Sequence, residues 1–234
     1  FQIINLINQN IESFKIRFIF CLKVLFKLIF ERKNTIIYGR SILSSMLLTL
    51  INRKNYLELH HTPNSFSKLF FKFILLLPQK KKLNLILINK SLVNELKLIG
   101  INFIILDDGA DFLNFKFNQS IKYKKNTCIY IGSFYEGKGI EIIKKLAKMM
   151  PDIKFDLYGD LKTIKSKFNF NCYPNIKFYG YVAYKNIPEI LKNYEVALMP
   201  YKNKILARSK NLEISKYISP LKMFDYLSAG KIIL

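Results

Sequence analysis

The sequence predicts an α/β protein made of two successive units, each built around a parallel β-sheet. Short apolar runs rich in β-branched and aromatic residues alternate with helical patterns along both halves of the chain. The runs carry apolar residues on both faces, which is typical of strands buried in a parallel sheet. A polar, chain-bending segment over residues 107–111, followed by a stretch over residues 116–126 that contains Lys and Asn and has no clear periodicity, interrupts the alternation and is the best linker candidate. We therefore predict two domains, residues 1–118 and residues 119–234.

The composition indicates a globular protein. With 234 residues, of which 50% are hydrophobic and 15% aromatic, the chain can bury one large core or two modest ones. The formal net charge of +22 would suit nucleic acid. However, the lysines are scattered through every segment, and arginine, which base and phosphate readout favours, is scarce. We therefore favour a solvated basic surface, which also suits an anionic membrane or donor, and expect no nucleic acid.

The first predicted element is an apolar helix over residues 14–30, interrupted by lysines and an arginine. A membrane-spanning helix needs about 20 mostly uncharged residues. A helix that covers a sheet is therefore favoured over membrane insertion, and an interfacial amphipathic helix remains open. Cys21, Cys128 and Cys172 lie far apart in no paired spacing, so we expect neither a disulfide framework nor a zinc site, and a reducing compartment.

The remaining elements are predicted from the spacing of apolar residues, which recur at every second position in a strand and at every third or fourth position in a helix. In the first half the predicted strands are 35–38, 56–59, 83–88 and 102–106, and the helices are 42–51, 65–77 and 91–98. In the second half the predicted strands are 127–131, 153–158, 176–179, 196–199 and 231–234, and the helices are 140–150, 161–168, 187–193 and 220–228. The chain starts at Phe1 rather than Met, and its last strand has no following helix. We therefore expect a fragment that is truncated at both ends.

Ligands of doubly wound sheets bind at the carboxyl ends of the strands, where three loops of the second half are predicted. The first loop runs from Gly132 through Ser133, Gly137 and Lys138 to Gly139. Glycines allow a close backbone approach, the following helix offers N–H groups to phosphate, and the lysine adds a charge. Glycine-containing loops between a strand and a helix are, however, usually just tight turns.

The second loop contains Gly180 and Tyr181, and the tyrosine could wall a slot for a nucleotide base. The third, from Tyr217, has Ser219 at the predicted helix cap, Leu221 in the first turn and Asp225 one turn further on. Such a helix start would bind an anion, and the carboxylate would bind sugar hydroxyls. Each loop alone is also consistent with a simple turn or an ordinary capped helix.

Taken in order, these segments resemble the retaining group-one glycosyltransferases of the GT-B fold. The matching runs are "YIGSFYEGKGIEIIKKLA", "NIKFYGYV", "VALMPY" and "ISPLKMFDYLSAGKII". The last is the most specific, because it resembles the family's S-P-L-K-x-F-E-Y-x-A-x-G-K-P segment. The first half matches more loosely through "YLELHHTP" and "LDDGADFLNF". The resemblance implies two Rossmann-like domains that face a cleft, with acceptor binding in the first domain and nucleotide-sugar binding in the second.

The resemblance also assigns roles to residues. The family's phosphate-binding lysine falls on Lys138, whereas its companion arginine falls on Ser133. The ribose-binding acid falls on Asp225, and the acid expected to contact the transferred sugar falls on Tyr217. Backbone N–H groups near Ser219 and Leu221 would face the pyrophosphate. His60 matches the acceptor-side histidine and is favoured over the adjacent His61.

The sequence thus leads us to expect transfer of a hexose from a UDP- or GDP-sugar to a hydroxyl acceptor with retention of configuration. No metal and no further cofactor are expected, since Lys138 and the helix ends would neutralise the leaving diphosphate. The expected acceptor is a carbohydrate or a lipid-linked molecule in cell-envelope polysaccharide biosynthesis. We expect the protein to lie in the cytoplasm or at the inner face of the membrane, which it would contact peripherally. The alternative is a non-catalytic or truncated relative that only binds nucleotide. A basic nucleic-acid-binding protein is the remote alternative.

Overall fold

A computed structural model describes residues 14–32, 35–96, 98–115, 122–160, 172–206, 213, 215–218 and 220–234. The chain divides into two compact units, Phe1–Asp107 and Asp108–Leu234. No helix in these described ranges is long and apolar enough to span a membrane.

Within its described residues, unit 1 holds a parallel four-stranded sheet in the order β1-β2-β3-β4. The strands are β1 Tyr38–Gly39, β2 Asn55–Leu59, β3 Leu83–Leu87 and β4 Asn102–Ile105. The helices are α1 Phe14–Ile29, α2 Ile42–Leu50, α3 Ser65–Leu76 and α4 Lys90–Leu96, with a 3-10 helix at Pro78–Lys82. Alternate residues of β2 and β3 are buried, among them Leu57, Leu59 and Leu85. The strand β2 ends at Leu59, which brings His60 to the carboxyl edge of the sheet.

The described part of unit 2 contains a parallel five-stranded sheet in the order β7-β6-β5-β8-β9. The strands are β5 Thr127–Ile131, β6 Lys154–Tyr158, β7 Ile176–Gly180, β8 Val196–Ala197 and β9 Ile232–Ile233. The helices are α5 Ile140–Met149, α6 Ile187–Leu191 and α7 Leu221–Ser228, with 3-10 helices at Phe112–Phe115 and Tyr184–Asn186. The helix expected over residues 161–168 lies outside the described residues.

The central strand β5 contributes to two cores, because successive side chains of a strand point to opposite faces. Tyr130 packs with Phe155 and Leu157 in one core, which includes buried residues of α5. Ile129 and Ile131 enter the other core, which includes Leu191, Tyr194 and Tyr226. This two-sided burial explains why the sequence of β5 is apolar on both faces.

The break between the units falls earlier than the predicted domain boundary after residue 118. Phe115, in the 3-10 helix Phe112–Phe115, is only 2% exposed and packs in the core with Ile129, Leu191 and Tyr226. The burial of this aromatic side chain attaches residues 108–115 to unit 2. Residues 116–121 of the predicted linker lie outside the described part of the chain.

Candidate functional site

The strand order of unit 2 creates a crevice at the carboxyl edge of its sheet. From β5 the chain continues to β6 and β7 on one side and later to β8 and β9 on the other. Connections that diverge in this way leave a gap above the central strands, where ligands of such sheets bind. A cavity of about 460 Å³ is lined by the residues after β5 and β6, by the segment after β7 and by α7. Among the predicted residues, Gly132, Ser133, Tyr181 and Asp225 line it.

The loop after β5 is held in place by the chain that follows β8. The backbone N–H of Lys202 donates to the Gly137 carbonyl at 2.9 Å, and that of Leu206 donates to the Glu136 carbonyl at 3.2 Å. Gly139 caps α5 at φ 85°, and a Cβ there would overlap the carbonyl of Pro200. Gly137 and Gly139 thus let the loop approach protein backbone, and neither lines the cavity.

Lys138 is not one of the residues that line the cavity, and it lies against an aromatic ring. Its side chain is 8% exposed, and its Nζ lies 4.3 Å from the ring centroid of Tyr201. Burial lowers the pKa of Lys138 to about 8, because a charged ammonium loses hydration there. Within the described residues, no carboxylate forms an ion pair with this lysine.

A second buried cation, Lys222, was not predicted. It lines the cavity from α7, and its Nζ is buried without a hydrogen-bond partner among the described residues, although the residue as a whole is partly exposed. The Nζ lies 3.9 Å from the ring centroid of Tyr130 and 5.3 Å from that of Tyr201. Burial, and secondly the charge of Lys138, hold the pKa of Lys222 well below its ordinary value.

Asp225 lies on the same helix, and a tyrosine holds it. The Tyr184 hydroxyl donates to Asp225 Oδ1 at 2.9 Å, and the carboxylate is buried. Burial raises the pKa of Asp225, and the hydrogen bond from Tyr184 opposes that shift. Burial, followed by this same hydrogen bond, raises the pKa of Tyr184 to about 12. The pair presents a carboxylate to the cavity.

Helix α7 is joined to β5 by a hydrogen bond. The backbone N–H of Ile131 donates to the Tyr226 hydroxyl at 3.0 Å. The ladder between β5 and β8 extends only to the pair Ile129 and Ala197, so Tyr226 satisfies an N–H that lies beyond it. This bond fixes Lys222 and Asp225 relative to the end of β5.

The other walls of the cavity are mainly aromatic and apolar. Tyr158, Tyr184 and Ile187 contribute to the lining, and Tyr181 is 79% exposed. Gly159, which was not predicted, lies so close to the Gly132 carbonyl that a Cβ would overlap it. Its close approach becomes apparent only when β5 and β6 are paired.

Two further predicted residues do not line the cavity, and a third is not among the residues that the structure describes. Tyr217 is buried, and Leu221, the first residue of α7, is exposed; neither is part of the lining. Ser219 lies outside the described residues, and Pro220 occupies the cap position of α7.

In unit 1, the two neighbouring histidines have different surroundings. His60 Nε2 is hydrogen-bonded to Glu58 Oε1, and Arg40 Nε lies 3.9 Å from the same oxygen. The exposed His61 contacts the Thr62 carbonyl through Nδ1 at 2.8 Å. His60 is therefore the one of the two histidines that a carboxylate holds in place.

Comparison with known proteins agrees with this architecture, although no curated protein matches the chain in sequence. Sucrose-phosphate synthase from Thermosynechococcus elongatus matches over 95% of this chain and 60% of its own, with a TM-score of 0.67 and 12% identity. HepE of Anabaena, solved with UDP and glucose, matches over 97% of this chain and 65% of its own, with a TM-score of 0.59 and 14% identity. The structure of TarM matches over 91% of this chain and 43% of its own, with a TM-score of 0.59 and 16% identity.

The fold is therefore the α/β fold of the GT-B glycosyltransferases, and the fold class predicted from the sequence is confirmed. Residues 111–208 match the family described as "Glycosyl transferases group 1". This match supports the resemblance found in the sequence and includes the loop with Lys138, whereas Lys222 and Asp225 lie beyond it. The chain spans 43% to 65% of the length of the three structures.

Proposed function

We propose that this protein transfers a hexose from a UDP- or GDP-sugar to a hydroxyl acceptor, with retention of the anomeric configuration. The observation that carries the proposal is the cavity at the carboxyl edge of the unit 2 sheet, with cationic, carboxylate and aromatic groups around one space. A nucleoside diphosphate has matching parts, since it combines two anionic phosphates, a ribose diol and a planar base. The family match at residues 111–208 supports the same class of reaction.

The donor's diphosphate is proposed to bind at the loop after β5. Gly132 and Ser133 line the cavity there, and the buried Lys138 supplies positive charge. The ribose would bind Asp225, whose carboxylate Tyr184 already orients at 2.9 Å. The base would lie against Tyr181, whose large exposed ring can close over it.

The reaction begins as the bond from the anomeric carbon to the β-phosphate oxygen breaks. The acceptor oxygen then bonds to the same face of that carbon, and the hydroxyl proton leaves with the diphosphate. Positive charge at the diphosphate lowers the barrier, because negative charge grows on the leaving group as this bond breaks.

On the acceptor side, we propose that His60 contacts the donor sugar. In the neutral ring, the Nε2–H donates to Glu58, which leaves Nδ1 as an acceptor. We expect His60→Ala to lower the rate of sugar transfer while UDP affinity stays unchanged. His61→Ala is the matched control, and equal losses in the two variants would remove His60 from the proposal.

The donor proposal is tested by isothermal titration of UDP and GDP into the full chain and into Lys138→Ala. We expect the wild-type protein to bind one of the two nucleotides and the variant to bind it at least about tenfold more weakly, as for loss of a charge-assisted bond. Unchanged affinity would remove Lys138 from the site. Proton NMR of the product from the matching nucleotide-sugar then reports its anomeric configuration.

We further propose an acceptor that is a carbohydrate or lipid-linked molecule of cell-envelope polysaccharide synthesis, at the cytoplasmic face of a membrane. Helix α1 supports peripheral contact, because Phe18, Leu22 and Phe26 are exposed on a helix that also carries Lys23 and Lys27. We expect co-sedimentation with phosphatidylglycerol vesicles that decreases at high salt. Equal binding to neutral vesicles would contradict the electrostatic part of the proposal.

Nucleotide binding without transfer is the second candidate. Tyr217 supports it, since this buried residue stands where the resemblance expects a carboxylate that contacts the transferred sugar. This candidate predicts saturable UDP or GDP binding together with no release of sugar from either donor. Measured turnover with any acceptor would reject it.

A further inference from the structure

We infer that Lys222 is a second diphosphate-binding residue, which reaches the donor's phosphates from α7 across the cavity from Ser133. The inference deepens the proposed function and rests on it. The family resemblance places phosphate binding on Lys138, leaves position 133 without a charge and gives no role to Lys222.

The ammonium group of Lys222 lies beside the loop that follows β5. Lys222 lines the cavity together with Gly132 and Ser133. A Cβ added at Gly132 would overlap its Nζ and Cε atoms, so the glycine leaves space for this side chain. The cation therefore lies directly beside the loop at which the diphosphate is proposed to bind.

The ammonium group of Lys222 is buried, and it has no hydrogen-bond partner within the described part of the chain. An ammonium group has three donors, and burying them unsatisfied destabilises a protein. A structural lysine would normally extend to solvent or pair with a carboxylate. An anion that enters the cavity would satisfy both the charge and the donors.

A neighbouring cation, Lys138, faces the same Tyr201 ring as Lys222. Lys138 Nζ lies 4.3 Å and Lys222 Nζ 5.3 Å from the ring centroid of Tyr201, and Lys222 Nζ also lies 3.9 Å from that of Tyr130. The negative faces of these rings partly stabilise the two charges while the cavity is empty. Two like charges held close together bind a diphosphate better than either alone, because it carries a charge for each.

The test compares Lys222→Met with wild type in the full chain, using UDP or GDP, whichever binds, and the matching nucleoside, uridine or guanosine. Methionine retains an apolar side chain of similar length under the Tyr130 ring and removes only the charge. We expect about tenfold or greater loss of nucleotide affinity and no change for the nucleoside. Lys145→Met, an exposed position on α5, is the control and should bind as wild type.

Thermal unfolding without ligand provides an independent readout. We expect Lys222→Met to melt at the same temperature as wild type or higher, because it removes a buried unpaired charge. Lys222→Gln is the second variant, and failure of both to fold would overturn the inference. Equal loss of nucleotide and nucleoside affinity, or unchanged nucleotide affinity, would also overturn it while the proposed function stands. Absence of nucleotide binding by the wild-type protein would overturn both.

Discussion

The hydroxyl group of Tyr226 offers a sharp test of how the candidate site is held together. Tyr226→Phe removes only this oxygen, which accepts a hydrogen bond from the Ile131 N–H at 3.0 Å. Tyr226 is 1% exposed and Ile131 is 8% exposed, so water has little access to replace the lost partner. Leaving a buried N–H unsatisfied costs about 1–3 kcal/mol. For a chain of this size that corresponds to a decrease of about 2–6 °C in melting temperature.

Urea denaturation monitored by far-UV circular dichroism measures the free-energy change directly. The slope against urea should stay constant, because the substitution does not alter the surface exposed on unfolding. Nucleotide affinity should also decrease, since the bond fixes α7, which carries Lys222 and Asp225. Tyr184→Phe is the matched control for stability, because Tyr184 is half-exposed and water can replace the hydrogen bond that its hydroxyl donates to Asp225. A Tyr226→Phe protein within about 0.5 kcal/mol of wild type would refute the reasoning.

Two other predictions concern the loop that ends at Gly139. The pKa of Lys138 is about 8 in the empty site, and an anionic nucleotide should bind the protonated lysine better than the neutral one. Nucleotide affinity should therefore be highest below pH 8 and should fall above it, by up to about tenfold per pH unit. Titrations at pH 8 in two buffers of different ionisation enthalpy should show proton uptake, and identical heats would contradict the assignment. In urea denaturation, Gly139→Ala should destabilise the protein more than Gly180→Ala. Both glycines have φ near 80°, but only at Gly139 would an added Cβ overlap backbone atoms, those of the Pro200 carbonyl. Equal losses would show that backbone conformation alone sets the cost, at about 1–2 kcal/mol.

Much of the fold could be predicted because hydrophobic periodicity specifies buried elements directly. The strand predicted over residues 127–131 coincides with β5, whose side chains fill two cores. The predicted helix boundaries are less accurate where a side-chain hydrogen bond determines the residue at which a helix begins. Helix α4 begins one residue before the predicted start, and the Asn89 side chain accepts a hydrogen bond from the Leu92 N–H at 3.1 Å.

The candidate site was predicted less completely, because it depends on which elements become neighbours. Gly159 comes close to Gly132 only because β5 and β6 are paired, and local periodicity does not predict which strands pair. The sequence does contain an indication that Lys222 belongs to the site, because Lys222 lies three positions before Asp225 and therefore on the same side of α7. Two charged residues on one side of a helix, beside a predicted ligand loop, indicate that both can contact the ligand.

The two-sided burial of β5 has a consequence for how a ligand would enter. The strand that forms the floor of the cavity cannot shift without disturbing the packing of both cores, so this floor is preformed. Exposed Tyr181 at the rim has no such constraint. Binding would therefore immobilise few groups, and most of the interaction energy with a nucleotide would appear as affinity instead of being lost to ordering the site.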